Sequence, residues 1–207
     1  IHGHSGVGKS SLVNAGLVPA LKKKAIGIQD NLVVVVRVYT NWVEELGRQI
    51  VEALREMGRW VDDTQTSASD TQAPVSEVET PHSRTSVLKL LRQCETDNLR
   101  PVLIFDQFEE FFFVDIEPQQ RWLFFHFLRD CLNILSVKIV LSLREDYLHY
   151  LLKFNRFRDN SMIQIDILSE NVLYDLGNFS RDDARSIIQQ LTERANFHLE
   201  PALINEL

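Results

Sequence analysis

Cysteine, net positive charge and long apolar runs are scarce or missing in this chain of 207 residues. Its cysteines, Cys94 and Cys131, lie far apart and match no metal-ligand spacing, so we expect two reduced thiols in a cytoplasmic protein. No apolar run reaches the roughly 18 residues that a membrane-spanning helix needs. A net charge of −7 argues against a general nucleic-acid-binding surface. The sequence therefore predicts neither a membrane nor a nucleic-acid partner.

Glycine is also sparse, yet Gly3, Gly6 and Gly8 lie close together at the start of the chain. With Lys9 and Ser10 they match the phosphate-binding pattern G-x-x-x-x-G-K-[ST]. Glycines let backbone N–H groups approach a polyphosphate, the lysine adds charge for the β- and γ-phosphates, and the serine hydroxyl can ligate Mg²⁺. The residues expected to bind nucleotide are Ser5, Gly6, Val7, Gly8, Lys9, Ser10 and Ser11. The alternative is a glycine-rich turn before an ordinary helix.

Strand and helix patterns alternate along the rest of the chain. Continuous apolar, β-branched runs predict strands that are covered on both faces, at residues 32–39, 102–105, 138–143 and 163–167. Helices are predicted at residues 10–23, 41–58, 87–94, 118–135 and 180–194. Capping boxes are expected where Asn41 precedes Glu44 and where Ser180 precedes Asp183. This alternation predicts an α/β fold with crossover connections and a parallel sheet.

Both ends of the sequence look cut. Only Ile1 and His2 remain where a buried strand should precede the loop, and Pro201 starts a helical pattern that is still short at Leu207. Residues 62–84 are rich in Thr, Ser, Gln and Asp and have no core-forming period, so we predict a disordered or poorly ordered insertion. We therefore expect a piece of a larger protein.

A second motif consists of the strand predicted at Val102–Phe105 and the acidic residue Asp106 that follows it directly. This is the Walker B arrangement, in which the carboxylate holds Mg²⁺, usually through water. Three collinear blocks, HSGVGKSSLVNAGLVPAL, VLIFDQFEEFF and IVLSLREDYL, cover most of the chain between Gly3 and Leu148. They resemble the NTPase core of the STAND class, the signal transduction ATPases with numerous domains. The resemblance is greatest to the novel STAND NTPases, which are often joined to WD or TPR repeats.

The resemblance implies a P-loop NTPase three-layer sandwich with a mainly parallel sheet. Its additional-strand order, similar to that of AAA+ and STAND proteins, puts one strand between the Walker A and Walker B strands. The core would span residues 1–168, and residues 169–207 would begin a helical segment. The resemblance also implies ATP with Mg²⁺, and a switch that self-oligomerises when sensor or repeat domains outside this fragment detect a ligand. The chain lacks the N-K-x-D string that reads guanine, which favours adenine.

Hydrolysis needs a base for the attacking water. Many relatives place a glutamate directly after the Walker B aspartate, but Gln107 stands there and its neutral amide cannot accept a proton. Glu109 and Glu110 are the nearest carboxylates. Either one of them polarises water or reaches the magnesium shell, or both cap or solvate the helix that follows.

The resemblance assigns γ-phosphate recognition to Arg144, which follows the third predicted strand. The alternative is a salt bridge with Asp146 or Glu145. His4 lies inside the loop, where we expect it to face solvent without a catalytic role.

Eight of the twelve phenylalanines lie between Phe105 and Phe127. We expect them to pack against the sheet, with a partner or self-association surface as the alternative. Three functions remain open. The first is a Mg²⁺-dependent ATP switch with slow hydrolysis, and the second is an ATP-locked scaffold. The third is a P-loop phosphotransferase, for which the sequence offers no acceptor or lid motif.

Overall fold

The structure, a computed structural model, describes residues 1–25, 28–59, 83–114, 118–155 and 172–197. The chain forms two compact units, Ile1–Asp175 and Leu176–Leu207. The strand predicted at 163–167, the helix predicted after Pro201 and the domain boundary predicted at residue 168 lie outside the described residues. Almost all of the insertion predicted at 62–84 does so too.

Among the described residues of the first unit, five strand segments form a parallel arrangement. They are β1 (His2–Gly3), β2 (Asp30–Val36), β3 (Leu99–Phe105), β4 (Lys138–Leu141) and β5 (Leu143–Arg144). β3 pairs with β2 on one side and with β4 on the other, whereas β5 pairs with β1. His2 of β1 also forms an isolated parallel bridge with Asp175, which belongs to none of these strands.

Ser142 joins β4 to β5 and marks the point where the strand changes neighbours. Its backbone N–H donates to the Phe105 carbonyl at 2.9 Å, and the next N–H, that of Leu143, donates to the Ile1 carbonyl at 3.1 Å. Residues 138–144 therefore lie between the Walker A and Walker B strands. This confirms the additional-strand order.

The helices include the predicted ones, with several corrected bounds. They are α1 (Lys9–Ser11), α2 (Val18–Lys23), α3 (Trp42–Glu56), α4 (Arg84–Thr96), α5 (Pro118–Leu132), α6 (Leu148–Asn155) and α7 (Arg181–Arg194). A π-helical stretch, Leu12–Leu17, connects α1 to α2, and it ends near Pro19, which has no N–H to donate. Short 3₁₀ helices span Phe108–Phe112 and Glu145–Tyr147. No helix of the described residues is both long and apolar enough to span a membrane.

The two predicted capping boxes have different outcomes. Ser180 and Asp183 form the full box, with each side chain accepting a hydrogen bond from the other residue's backbone N–H. Asn41 is the residue that precedes α3, but its side chain makes no capping hydrogen bond within the described part of the chain, so that prediction is wrong. Asn41 has ψ 54°, whereas Ser180 has the extended ψ of 160° that a capping side chain requires. At the start of α4, Ser83 accepts from the Ser86 N–H, so Ser83 and Arg84, which were predicted to belong to the insertion, form the ordered start of a helix.

Apolar residues cover both faces of the sheet. Along β2, Leu32, Val34 and Val36 belong to the larger core, with side chains of α3, α4 and α5. Val33 belongs to a smaller core that contains Val13 of the π-helical stretch. Because the strand residues alternate between the two cores, helices pack on both faces. The three-layer α/β fold is confirmed.

Most of the phenylalanine-rich segment is part of the larger core, as expected, but Phe113 is exposed, so the prediction is wrong for that residue. The fully buried members are Phe105, Phe108, Phe111, Phe124 and Phe127. Tyr39 contacts the rings of Phe108 and Phe111 edge-on, at centroid distances of 5.8 and 5.9 Å. Aromatic packing in the core therefore holds the turn after β3 in place.

Both cysteines lie within the described residues as free, buried thiols. Burial raises the pKa of the Cys94 thiol to about 11, with a smaller contribution from Asp97. Burial raises the pKa of Cys131 as well. Both thiols are therefore protonated and unreactive near neutral pH.

Candidate nucleotide-binding site

The loop between β1 and α1 has the backbone that its glycines allow. Gly6 and Gly8 have φ angles of 80° and 96°, in the left-handed region that residues with a Cβ rarely adopt. Gly8 is also the residue that precedes α1. Ser5, Gly6 and Ser11 are exposed, whereas Val7 is buried. The loop therefore exposes Ser5 and Gly6 to solvent while the Val7 side chain holds it to the fold.

Lys9 is folded back over this loop. Its ammonium donates to the carbonyl oxygens of Gly3 at 2.9 Å and His4 at 2.7 Å. The residue is only 9% exposed. Its cationic end is therefore held inside the curve of the loop, where the pattern predicts that phosphate binds.

Ser10 and Asp106 come together although 96 positions separate them in the sequence. The Ser10 hydroxyl donates to Oδ1 of Asp106 at 3.1 Å. Asp106 is fully buried, and its backbone N–H donates to the Val36 carbonyl at 3.0 Å. The loop and the end of β3 thus place a hydroxyl and a carboxylate side by side.

The second oxygen of Asp106 binds Arg37, which the sequence analysis did not single out. Nε of Arg37 donates to Oδ2 at 3.1 Å, and one Nη lies 3.0 Å from the same atom. Arg37 falls inside the strand predicted at 32–39, but β2 ends at Val36, so Arg37 follows the strand at the edge where Asp106 lies. The sequence offered one sign of this role, because Arg37 is a charged residue within an otherwise apolar run of valines.

Tyr39 supports the same turn from within the core. Its hydroxyl donates to the backbone carbonyl of Asp106 at 2.6 Å. Burial, and secondarily the negative charge of Asp106, raises the pKa of the phenol, so it remains a donor. The position of Asp106 is thus fixed at both its carboxylate and its backbone.

The residues at this point fit a magnesium ion. Mg²⁺ prefers hard oxygen ligands and is usually bound by one or two protein groups together with substrate phosphates and water. Ser10 Oγ and the Asp106 carboxylate supply such oxygens. Across the described ranges, no group of three or more His, Cys, Asp or Glu side chains forms a metal cage. The donor set therefore suits a metal that arrives with a polyphosphate rather than a permanently bound one.

The residues considered for hydrolysis are arranged less compactly. Gln107 is exposed and has a left-handed backbone, with φ 53°. Glu109 accepts a hydrogen bond from the backbone N–H of Arg144 at 3.2 Å, while Glu110 is exposed. Glu109 therefore bridges the 3₁₀ helix after β3 to the end of β5, and Glu110 is the carboxylate that solvent reaches freely.

Arg144 lies at the end of β5, as expected, but its guanidinium is engaged. It donates to Oδ2 of Asp146 at 2.6 Å, and its Cζ lies 5.2 Å from the centre of the Tyr147 ring. The hydrogen bond with Asp146 raises the pKa of the guanidinium. The salt bridge that we considered as the alternative is therefore present here, and the γ-phosphate role stays a prediction.

His4 is exposed, but it also has a partner. Its Nδ1 lies 2.9 Å from a carboxylate oxygen of Glu145, and the two side chains are 69% and 35% exposed. This contact joins the phosphate loop to the residue that follows Arg144. It does not place His4 in a catalytic position.

Three solved structures share this fold. The Walker-type ATPase paby2304 of Pyrococcus abyssi matches with a TM-score of 0.60 and 15% identity, over 99% of this chain and 55% of that chain. The Aeropyrum pernix ORC2 protein in ADPNP–ADP complexes matches with a TM-score of 0.56 and 12% identity. Its ADP form matches with a TM-score of 0.52 and 16% identity. Both ORC2 matches cover 93% of this chain and 45% of that chain.

Because the sequence identities are low, the similarity to these structures shows a shared fold alone. The chain spans about half the length of the solved structures that it matches. No curated protein matches it by sequence. The novel STAND NTPase 1 family, in contrast, matches residues 1–207. The chain therefore belongs to the novel STAND NTPase 1 family.

Proposed function

We propose that this chain binds ATP with Mg²⁺, hydrolyses it slowly, and acts as a signal-transduction switch in the cytoplasm. The observation that carries the proposal is the 3.1 Å contact between the Ser10 hydroxyl and the Asp106 carboxylate. Two motifs far apart in the sequence meet there, beside a lysine that is held in the phosphate loop. Membership of an NTPase family supports the same function.

Each residue has a role in this proposal. Backbone N–H groups of the loop from Ser5 to Ser11 and the Lys9 ammonium bind the β- and γ-phosphates. Ser10 and Asp106 hold the Mg²⁺, which when bound neutralises phosphate charge. Arg144 leaves Asp146 and donates to the γ-phosphate. That exchange distinguishes ATP from ADP.

Adenine is the proposed base. The sequence lacks the guanine-reading N-K-x-D string. The related ORC2 fold was solved with ADPNP and ADP. In the switch that we propose, sensing of a ligand by domains outside this chain is coupled to self-oligomerisation through the nucleotide state.

Equilibrium binding tests the proposal. Isothermal titration of the chain with ATP, ADP and GTP in Mg²⁺ buffer should give saturable, one-site binding of ATP and ADP and weaker binding of GTP. Absence of ATP binding would remove the nucleotide function altogether. Tight GTP binding would overturn the adenine assignment alone.

The second candidate function is the ATP-locked scaffold, and it is favoured by the residues considered for hydrolysis. Gln107 cannot act as a base, and Glu109 is hydrogen-bonded to the Arg144 backbone. Glu110 is the remaining carboxylate, and it is exposed. If hydrolysis depends on Glu110, the protein is a slow enzyme when this carboxylate reaches the attacking water and a scaffold when it does not.

Single-turnover hydrolysis separates these two candidates. A slow enzyme converts bound ATP faster than buffer does, and Glu110→Gln lowers the rate roughly 100-fold, as expected for loss of a general base. Glu109→Gln is the matched control, since its amide oxygen still accepts from Arg144. A wild-type rate equal to that of buffer would favour the scaffold.

A further inference from the structure

Arg37 supplies positive charge beside the buried Asp106 carboxylate when no metal ion is bound. It follows β2, and Val36 at the end of that strand is in register with Phe105, the residue before Asp106. The guanidinium directs Nε and one Nη at Oδ2 of Asp106, at 3.1 and 3.0 Å. The Asp106 side chain has no exposed surface, whereas 47% of the Arg37 side chain is exposed.

A buried carboxylate requires charge compensation. Removing a charge from water is strongly unfavourable unless a partner of opposite sign is in contact with it. Of the other cations at the site, Lys9 donates to the carbonyls of Gly3 and His4, and Arg144 pairs with Asp146. Arg37 is therefore the group that balances Asp106 in this arrangement.

The same carboxylate is the proposed protein anion for Mg²⁺. An ion bound beside Ser10 would approach Oδ1, while Arg37 stays on Oδ2 of the same group. Two cations on one carboxylate repel each other. A polyphosphate that binds at the same time adds enough negative charge to offset that repulsion.

We propose that Arg37 is the resident counterion of Asp106 and competes with Mg²⁺ for it. This inference rests on the proposed nucleotide site, and it adds a determinant of metal entry. Arg37 excludes bare Mg²⁺, so the ion enters together with nucleotide.

Thermal unfolding in increasing Mg²⁺, without nucleotide, tests the proposal on the whole chain. Wild type should show no change in Tm. Arg37→Gln should have a lower Tm that rises as Mg²⁺ replaces the lost charge. We expect its affinity for Mg²⁺ to exceed that of wild type roughly tenfold or more, the change that about 1.4 kcal/mol produces.

Two controls assign the effect to the ion pair. The double variant Arg37→Gln/Asp106→Asn lacks the carboxylate, so its Tm should not respond to Mg²⁺. Arg48→Gln removes an arginine that pairs with Glu45 and Glu52 on the surface of α3, and it should also show no response. A response in either control would overturn the assignment to Asp106.

Other outcomes overturn the proposal directly. One is an equal Mg²⁺ response in wild type and Arg37→Gln, and another is no response in either. If Arg37→Gln does not fold, Arg37→Met decides. It keeps an alkyl stem of similar length but removes the charge, so it should gain a Mg²⁺ response, and a response like that of wild type would refute competition.

These readouts are independent of ATP binding. A wild-type chain that binds no ATP would refute the proposed function, whereas the Mg²⁺ response of Arg37→Gln would still report on the ion pair. Conversely, ATP binding by wild type together with no Mg²⁺ response in the Arg37 variants would refute only the competition.

Discussion

The two sides of the candidate site differ in how firmly the fold holds them. On the metal side, the fully buried Asp106 is bonded to Ser10, Arg37 and, through its backbone, Tyr39. On the proposed γ-phosphate side, Arg144 is 37% exposed and pairs with an aspartate that is 55% exposed. The first arrangement is fixed by strand ends and core packing. The second consists of solvent-exposed contacts that must be exchanged before Arg144 can meet a phosphate.

This difference gives binding and hydrolysis separate structural requirements. Groups on the metal side already have the positions that the proposed function needs. Groups on the γ-phosphate side need a change of partner. Substitutions on the two sides should therefore differ in their effects on both stability and nucleotide affinity.

The largest effect is expected for Lys9→Ala. It removes the ammonium that lies in the phosphate loop, so ATP and ADP affinity should fall roughly 100-fold or more, the loss of a strong charged hydrogen bond. Calorimetry measures both affinities. Lys22→Ala, at an exposed lysine that pairs with Glu56, is the control and should leave them unchanged. Equal affinities in Lys9→Ala and wild type would contradict a phosphate site in this loop.

A matched pair of aspartate substitutions compares the stability of the two sides. Asp106→Asn breaks a pair that is buried at one end, so it should lower the free energy of unfolding by about 1–3 kcal/mol, between the values for exposed and buried pairs. Asp146→Asn breaks an exposed pair and should leave stability unchanged. Urea unfolding midpoints with equal m-values provide the measurement. Equal losses in the two variants would remove the contrast.

Arg144→Ala tests the γ-phosphate side. If Arg144 donates to the γ-phosphate, ATP affinity should fall roughly tenfold while ADP affinity stays unchanged. Asp146→Asn breaks the same ion pair but keeps the arginine, so it should not weaken ATP binding. If both variants weaken ATP and ADP alike, the pair with Asp146 is structural and Arg144 does not read the γ-phosphate.

The smallest effect is expected for Tyr39→Phe. It removes the hydroxyl that donates to the Asp106 carbonyl at 2.6 Å and leaves that buried acceptor without this partner. The free energy of unfolding should fall by about 1 kcal/mol. The same change at Tyr174, which is exposed, serves as the control. A neutral Tyr39→Phe would show that the aromatic cluster alone positions the turn.

The same division explains how much could be predicted from the sequence. Lys9, Ser10 and Asp106 belong to short motifs in which local spacing sets both geometry and chemistry, and the alternation of apolar segments predicted the sheet. The contact of Arg37 with Asp106 spans 69 positions and depends on the register of β2 against β3. No local pattern encodes that register, so Arg37 was read as part of a strand.

Glu109 and Arg144 show a further limit of the sequence. Each was considered for a role at the γ-phosphate, and the structure joins them by a hydrogen bond from the Arg144 backbone N–H to the Glu109 carboxylate. The arginine side chain pairs with Asp146, two positions along the chain. Competition among neighbouring acidic groups decides such pairings, and their outcome depends on side-chain geometry rather than on residue order.

The central claim is that Ser10 and Asp106 hold the metal of a Mg²⁺–nucleotide site, and its most direct test is the magnesium dependence of ATP binding. Calorimetric titrations of wild type and Asp106→Asn in paired Mg²⁺ and EDTA buffers provide the measurement. The account predicts that Mg²⁺ strengthens ATP binding to wild type roughly tenfold or more, and that Asp106→Asn loses most of this gain. Equal magnesium dependence in the two proteins would contradict it.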